Sequence, residues 1–105
     1  MSERSRLPRR RMCESIKFSH GDQKYHATIG RYDDGRIGEV FINSAKVGSA
    51  VDINMKDAAI AVSLALQHGC DMAALRKAFL RNAEGAPEGP LAALFDMLEA
   101  SEVVA

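Results

Sequence analysis

Hydrophobic and polar positions alternate along the first third of the chain, and this pattern predicts three strands. Ile16 and Phe18 alternate with polar neighbours, which is the period of a half-buried strand. A second alternating segment follows at 24–29, and the Asp-Asp-Gly sequence at 33–35 predicts a hairpin turn, because these residue types tolerate positive φ. The third strand is predicted at 38–43, and its run of consecutive apolar residues indicates that it is central or covered on both faces.

The hydrophobic period changes to that of a helix in the second half of the chain. Residues 55–68 are apolar on most sides, so we expect a long helix that is buried on most sides and capped by Asp52 or Asn54. Shorter helices are predicted at 71–81 and 91–100, separated by a loop rich in glycine and proline. The predicted fold class is α+β: a three-stranded antiparallel β-meander packed on a long central helix, followed by two shorter helices.

Charge divides the chain into three segments. Its 105 residues are enough for one globular domain, whose body we place at 13–81. Residues 1–12 carry five arginines and one glutamate and form a basic arm, whereas residues 82–105, a loop and an acidic helix, carry five acidic residues and no basic one. This asymmetry on a chain of net charge zero indicates self-association or two different partners.

The sequence lacks the signatures of membrane, secreted and metal-binding proteins. No stretch reaches the roughly 18 apolar residues of a membrane span, and no apolar segment typical of a signal peptide follows the charged start, so we expect a cytoplasmic protein. Cys13 and Cys70 lie far apart in the sequence and are expected to be thiols. The histidines and cysteines do not have the paired short spacings of a zinc site, and we expect no metal and no cofactor.

No sequence motif places a nucleophile beside a base, which is the arrangement that nucleophilic catalysis requires. Ser63 lies within the long apolar helix, where a serine hydroxyl is expected to bond to the preceding turn of its own helix. We therefore predict no catalytic residue.

The loop between the third strand and the long helix is the first candidate binding site. Lys46, Gly48 and Ser49 lie where the backbone N–H groups of a helix N-terminus are available, and such groups together with a lysine hold anions. A purely structural interpretation stays open, in which Gly48 permits a tight crossover and Ser49 satisfies its backbone.

The arm provides the second candidate site, formed by Arg9, Arg10 and Arg11. These side chains are suited to nucleic-acid phosphates or to an acidic protein surface. The arm has no interleaved aromatic residue for base stacking. The alternative is a solvated tail that is partly disordered when free.

An ordered series of motifs covers residues 7–81 and resembles one family. The motifs are Leu7-Pro8-x-Arg10-Arg11, Ile16-x-Phe18, Thr28-x-Gly30-x-Tyr32-x-Asp34-Gly35, Gly38–Ile42, Ala45-Lys46-x-Gly48-Ser49 and Ala59–Gly69. Together they resemble the C-terminal accessory region, often called a TSCPD domain, of adenosylcobalamin-dependent (class II) ribonucleotide reductases. The chain departs from that pattern at Ser44, where the family tends to have an apolar residue, and at Asp71, where a proline is usual.

The resemblance implies a link to DNA precursor metabolism. Class II reductases convert ribonucleotides to deoxyribonucleotides in a separate barrel that holds the radical cysteine, the reducing cysteine pair and the cobalamin. A chain of 105 residues is too short for that barrel, so no catalytic residue is carried over. We therefore expect a stand-alone, non-catalytic accessory domain that binds a partner protein, a nucleotide or a second copy of itself.

Two alternative functions stay open. In the first, the chain is a small nucleic-acid-binding regulator that uses its Arg-rich arm, and binding weakens steeply with salt. In the second, it is a subunit that complements a split ribonucleoside-diphosphate reductase, which requires a partner polypeptide with the barrel. No membrane partner is expected in either case.

Overall fold

The structure is a computed structural model that describes residues 3–44 and 48–104. Within those residues, three strands are followed by three helices. The strands form one antiparallel sheet in the order β1-β2-β3, and α1 packs on that sheet, which confirms the predicted fold class. The elements are β1 (Cys13–His20), β2 (Gln23–Arg31), β3 (Ile37–Ser44), α1 (Ala50–Gln67), α2 (Met72–Ala78) and α3 (Pro90–Val104).

The hairpin between β2 and β3 forms where the sequence predicts it. Gly35 has a φ of +92°, a conformation that only glycine adopts at no steric cost. The Asp34 carboxylate accepts a hydrogen bond from the Arg36 backbone N–H at 3.0 Å, and the Tyr32 N–H donates to the Arg36 carbonyl at 2.8 Å. The turn therefore combines the positive φ of Gly35, which the sequence predicts, with a hydrogen bond to the Asp34 side chain.

One face of the sheet packs against α1 and α3 and forms the core. Alternate residues of each strand point to this face, as the period of a strand requires. Burial of apolar area, at roughly 25 cal/mol per Å², therefore holds the two helices on the sheet. The core residues are Phe18, Tyr25, Ala27, Ile29, Ile37, Val40, Ile42, Met55, Ala59, Val62, Leu66, Leu94, Phe95 and Leu98.

β3 is an edge strand, and α1 covers its outer edge. The Gln67 side-chain amide donates to the Gly38 carbonyl at 2.9 Å. The Ser63 hydroxyl accepts from the Val40 N–H at 2.8 Å and donates to the Val40 carbonyl at 3.1 Å. The third strand was predicted to be central or covered on both faces. It is neither, because β2 is the central strand and Phe41 of β3 is 48% exposed. The prediction that Ser63 bonds to its own helix is also wrong, because Ser63 bonds to the sheet.

α1 begins several residues earlier than the sequence predicts. Ser49 is its cap, because the Ser49 hydroxyl accepts a hydrogen bond from the Asp52 N–H at 3.2 Å. The expected caps, Asp52 and Asn54, lie inside the helix. Ser is as good a cap as Asp, and the Asp52 carboxylate has other partners.

α2 has no fully buried residue, but its side chains Met72 and Leu75 are partly buried against the core. Ion pairs and one aromatic contact also attach α2 and the residues that follow it to α3. The Asp96 carboxylate accepts from Arg81 at 2.7 and 2.9 Å and from Arg76 at 3.1 Å. These bonds, that from Arg81 first, hold the pKa of Asp96 below its usual range. The rings of Phe79 and Phe95 meet edge to face at 5.1 Å.

Candidate functional site

Asp52 links the two ends of the connection between β3 and α1. Its side chain is fully buried. One carboxylate oxygen accepts from the backbone N–H and hydroxyl of Ser44, at 3.2 and 3.1 Å. The other accepts from the Gly48 N–H and the Lys56 ammonium, each at 3.0 Å. The hydrogen bond from Gly48, followed by those from Lys56 and Ser44, strongly lowers the pKa of Asp52, so the carboxylate stays ionised.

Two of the three residues of the predicted anion site, Gly48 and Ser49, bond to groups of the chain itself. The Gly48 N–H donates to Asp52, and the Ser49 hydroxyl caps α1. A carboxylate of the chain itself therefore occupies the N-terminus of α1, where the helix dipole favours a negative charge. Lys46, the third member of the predicted site, lies outside the described residues, and anion binding at this loop stays a prediction. Ser44, which departs from the family pattern, is a partner of Asp52.

Residues 3–12 lie against the domain. The Arg4 guanidinium donates to the Gln67 side-chain carbonyl at 2.6 Å, and the Ser5 N–H donates to the Gln67 backbone carbonyl at 2.7 Å. The Tyr32 hydroxyl donates to the Ser5 carbonyl at 2.5 Å. The arm therefore joins the end of α1 to the connection between β2 and β3.

The three candidate arginines of the arm have different environments. Arg11 donates to Glu39 at 2.6 Å, and the Glu39 side chain fits over Gly30, where an added Cβ would lie 2.3 Å from a Glu39 oxygen. Arg9 and Arg10 are exposed. Arg11 thus supports the fold, whereas Arg9 and Arg10 are available to a partner. Phosphate binding by the arm stays a prediction.

The solvent side of α1 carries large apolar side chains, so the expectation that this helix is buried on most sides is wrong. Ile53, Ile60 and Leu64 are 50%, 52% and 39% exposed. Their spacing of seven and four residues puts them on one side of the helix. We call these three residues the apolar face of α1. Sequence reasoning missed it because a nearly continuous apolar run does not show which side lacks a partner.

A separate apolar groove of about 500 Å³ lies between α1 and the start of α3. Val51 and Leu80 at this groove are 66% and 75% exposed. Its floor includes Met55, Phe79 and Leu91.

The structure brings no metal-ligand set together within residues 3–44 and 48–104. Cys13 and Cys70 are exposed thiols on different elements. Of the helices in the described residues, none is long and apolar enough to cross a membrane.

The structure is thus a small α+β domain with three features. A basic arm lies against it, the Asp52 carboxylate bonds across the connection between β3 and α1, and one side of α1 exposes apolar side chains. The model of the TSCPD domain matches residues 3–101, which is almost the whole chain. The chain therefore belongs to the TSCPD domain family, and the resemblance found in its sequence motifs is confirmed.

Vitamin B12-dependent ribonucleotide reductases are similar to this chain. That of Bradyrhizobium diazoefficiens is 45% identical over 69 residues, and that of Agrobacterium fabrum is 42% identical over 77 residues. The aligned regions cover 66% and 73% of this chain but only 6% of each reductase. The chain thus spans a small part of the length of these relatives. No solved structure matches it.

Proposed function

We propose that this chain is a non-catalytic accessory domain that docks onto a ribonucleotide reductase polypeptide through the apolar face of α1. In this proposal it acts in the cytoplasm and in DNA precursor metabolism. The reductase supplies the catalytic barrel, and the domain supplies a contact surface.

The observation that carries this proposal is the exposure of Ile53, Ile60 and Leu64 on one side of α1. Exposed large apolar side chains grouped on one side of a helix are typical of a protein contact surface, and the buried centre of such surfaces is more apolar than the rest of the protein surface. The exposed Asp57 lies on the same side of α1, between Ile53 and Ile60. In the reductases to which this chain is similar, the matching segment is part of a much longer polypeptide. A face for the remainder of that polypeptide is therefore expected on this domain.

The polar groups of the domain support a docking role. The buried hydroxyl of Ser63 and the buried carboxylate of Asp52 each bond to the backbone of β3 or of the following connection. The Ser63 hydroxyl and the Asp52 carboxylate therefore stabilise the domain itself. The exposed helix face has no comparable role within the domain.

The test uses the B. diazoefficiens reductase from which the segment that matches this chain has been removed. Sedimentation of the mixture should show a complex between this truncated reductase and the chain. The intact reductase should bind the chain much more weakly, because its own segment occupies the site. The excised segment, added back to the truncated reductase, is the positive control.

The variant Ile60→Gln should weaken the complex at least about tenfold without changing the melting temperature, since the side chain is half exposed. Leu80→Gln is the matched control, because Leu80 is also apolar and exposed but lies off α1. Rebinding of the excised segment without binding of this chain would contradict the proposal.

A further inference from the structure

The sheet face opposite the helices carries rows of basic, polar and aromatic side chains that have no part in the proposed docking. Residues paired across antiparallel strands share a face. Lys17 pairs with His26, which pairs with Asn43, so these three form one row across the sheet. The neighbouring row contains Thr28 and Phe41.

The first row borders a concavity of about 470 Å³ at the end of the sheet. Lys17, Lys24 and His26 line it together with Ser19 and Asn43, and the core-facing side chains Phe18, Tyr25 and Ser44 complete the lining, which contains no carboxylate. Among the described residues, neither lysine forms an ion pair with a carboxylate. Two lysines without acidic partners give this end of the face a positive charge, which attracts an anion.

Phe41 lies one row further along the sheet and is 48% exposed. An exposed aromatic ring on a sheet costs free energy in water, and a ring in this position is a stacking surface for a nucleic-acid base. Beyond Phe41, the next row ends at Glu39, which holds Arg11. Arg9 and Arg10, which directly precede Arg11 in the chain, are exposed.

The face therefore has lysines at one end, an aromatic ring in the middle and arginines at the other end. Rows on one face are two residues apart, which is about 6.6 Å along a strand. From Lys24 to Gly30, β2 covers about 20 Å. This length suits a few nucleotides of an extended single strand better than one nucleotide.

We propose that this outer sheet face binds single-stranded nucleic acid, with a base stacked on Phe41 and phosphates held by Lys17 and Lys24 at one end and by the arm at the other. Stacking without base-edge contacts makes the binding tolerant of sequence. The arm itself has no aromatic residue, but the pairing of β3 with β2 places Phe41 on the outer sheet face. The site is independent of the docking role, because α1 lies on the opposite face of the sheet.

The chain has no tryptophan, so the variant Phe41→Trp places the only tryptophan at the proposed stacking position, where it can be excited selectively over the two tyrosines. Titration with an oligothymidylate of about ten nucleotides, a length within the site sizes known for single-strand binders, should quench this fluorescence. A duplex of the same length and thymidine monophosphate should bind much more weakly. Unchanged fluorescence, or quenching by the mononucleotide equal to that by the oligonucleotide, would overturn the proposal.

Substitutions then test the two kinds of contact by anisotropy with the same labelled oligonucleotide. Phe41→Ala should weaken binding by roughly tenfold, the usual loss when one stacking ring is removed. The double variant Lys17→Gln, Lys24→Gln should weaken binding and reduce the salt slope by about 1.4, since each neutralised phosphate contributes about 0.7.

Lys77→Gln is the control for charge, because Lys77 is exposed on α2. It should leave both the affinity and the salt slope unchanged. An equal loss with Lys77→Gln and with the sheet-face variants would contradict the assignment to this face. Thermal melts of every variant exclude unfolding as the cause.

Discussion

The hydroxyl of Ser63 and the backbone of Val40 exchange two hydrogen bonds, one in each direction, at 2.8 and 3.1 Å. A single helix side chain thereby satisfies both main-chain groups of a residue at a sheet edge. Exposed strand edges are templates for pairing with other chains. α1 therefore closes the β3 edge, and the outer edge of β1 is where any sheet-mediated self-association, which stays a prediction, would occur.

Removal of the Ser63 hydroxyl should destabilise the domain. Ser63→Ala leaves the buried N–H and carbonyl of Val40 without partners, and one unsatisfied buried group costs about 1–3 kcal/mol. We expect the free energy of unfolding, measured by urea denaturation, to fall by at least about 2 kcal/mol. Ser101→Ala, at an exposed position of α3, should change it by less than about 0.5 kcal/mol. Equal effects of the two variants would contradict this role.

Asp52 should make stability depend on pH. Its folded pKa is depressed, first by the hydrogen bond from Gly48 and then by Lys56 and Ser44. The unfolded carboxyl has a pKa of about 3.9, so the stabilisation is complete above about pH 5 and is lost progressively as the pH falls from there towards the folded pKa.

The measurement is the free energy of unfolding of wild type and Asp52→Asn between neutral and acidic pH. The difference should be largest at neutral pH and should shrink in acid. Because Asp34 and Asp96 also have lowered pKa values, only the difference between the two proteins reports on Asp52. A difference that does not change with pH would show that Asp52 is not held as an ion.

Loss of the Glu39 charge should release the arm. Glu39→Gln replaces a charge-assisted bond to Arg11 by a weaker neutral one. Trypsin should then cleave faster after Arg9 and Arg10, which are exposed but adjoin this anchor. Glu84→Gln, an exposed position in the loop before α3, is the control and should leave the cleavage rate unchanged. Indistinguishable rates in all three proteins would mean that other contacts hold the arm.

Addition of a methyl group at Gly30 should displace the Glu39 carboxylate. A Cβ at this position would lie 2.3 Å from a Glu39 oxygen and 2.5 Å from its Cγ. Gly30→Ala should cost about 1–3 kcal/mol of unfolding free energy, as overpacking usually does. Combined with Glu39→Ala, it should cost less than the sum of the two single changes, because the clash disappears. Additive losses would argue against a direct clash.

The local pattern of the sequence was sufficient to predict the element order and the fold class. The turn at Gly35 and the strand at Ile37–Ser44 follow from turn chemistry and from periods over a few residues. The start of α1 was misplaced because Ser49 and Asp52 are both good caps by type, and only the fold shows which one caps.

Contacts between distant residues could not be predicted from one sequence. Arg11 and Glu39 are 28 residues apart, and Val40 and Ser63 are 23 apart. The hydrophobic period of a strand or a helix spans only a few residues, so it does not show that such distant residues are in contact. The exposure of Phe41 likewise depends on tertiary structure, because Phe41 lies on the sheet face opposite the core residues. Whether Lys46, Gly48 and Ser49 bind an anion stays a prediction, since Lys46 lies outside the described residues.

Titration calorimetry measures binding at the proposed reductase-docking face of α1. The chain is titrated into the truncated B. diazoefficiens reductase, first as wild type and then as Ile60→Gln and Leu80→Gln. We expect saturable binding with a negative heat-capacity change, the marker of apolar burial. Ile60→Gln should bind at least about tenfold more weakly, as expected for a central contact residue, and Leu80→Gln should bind as the wild type does. Equal affinities of wild type and Ile60→Gln would show that the domain does not dock through this face.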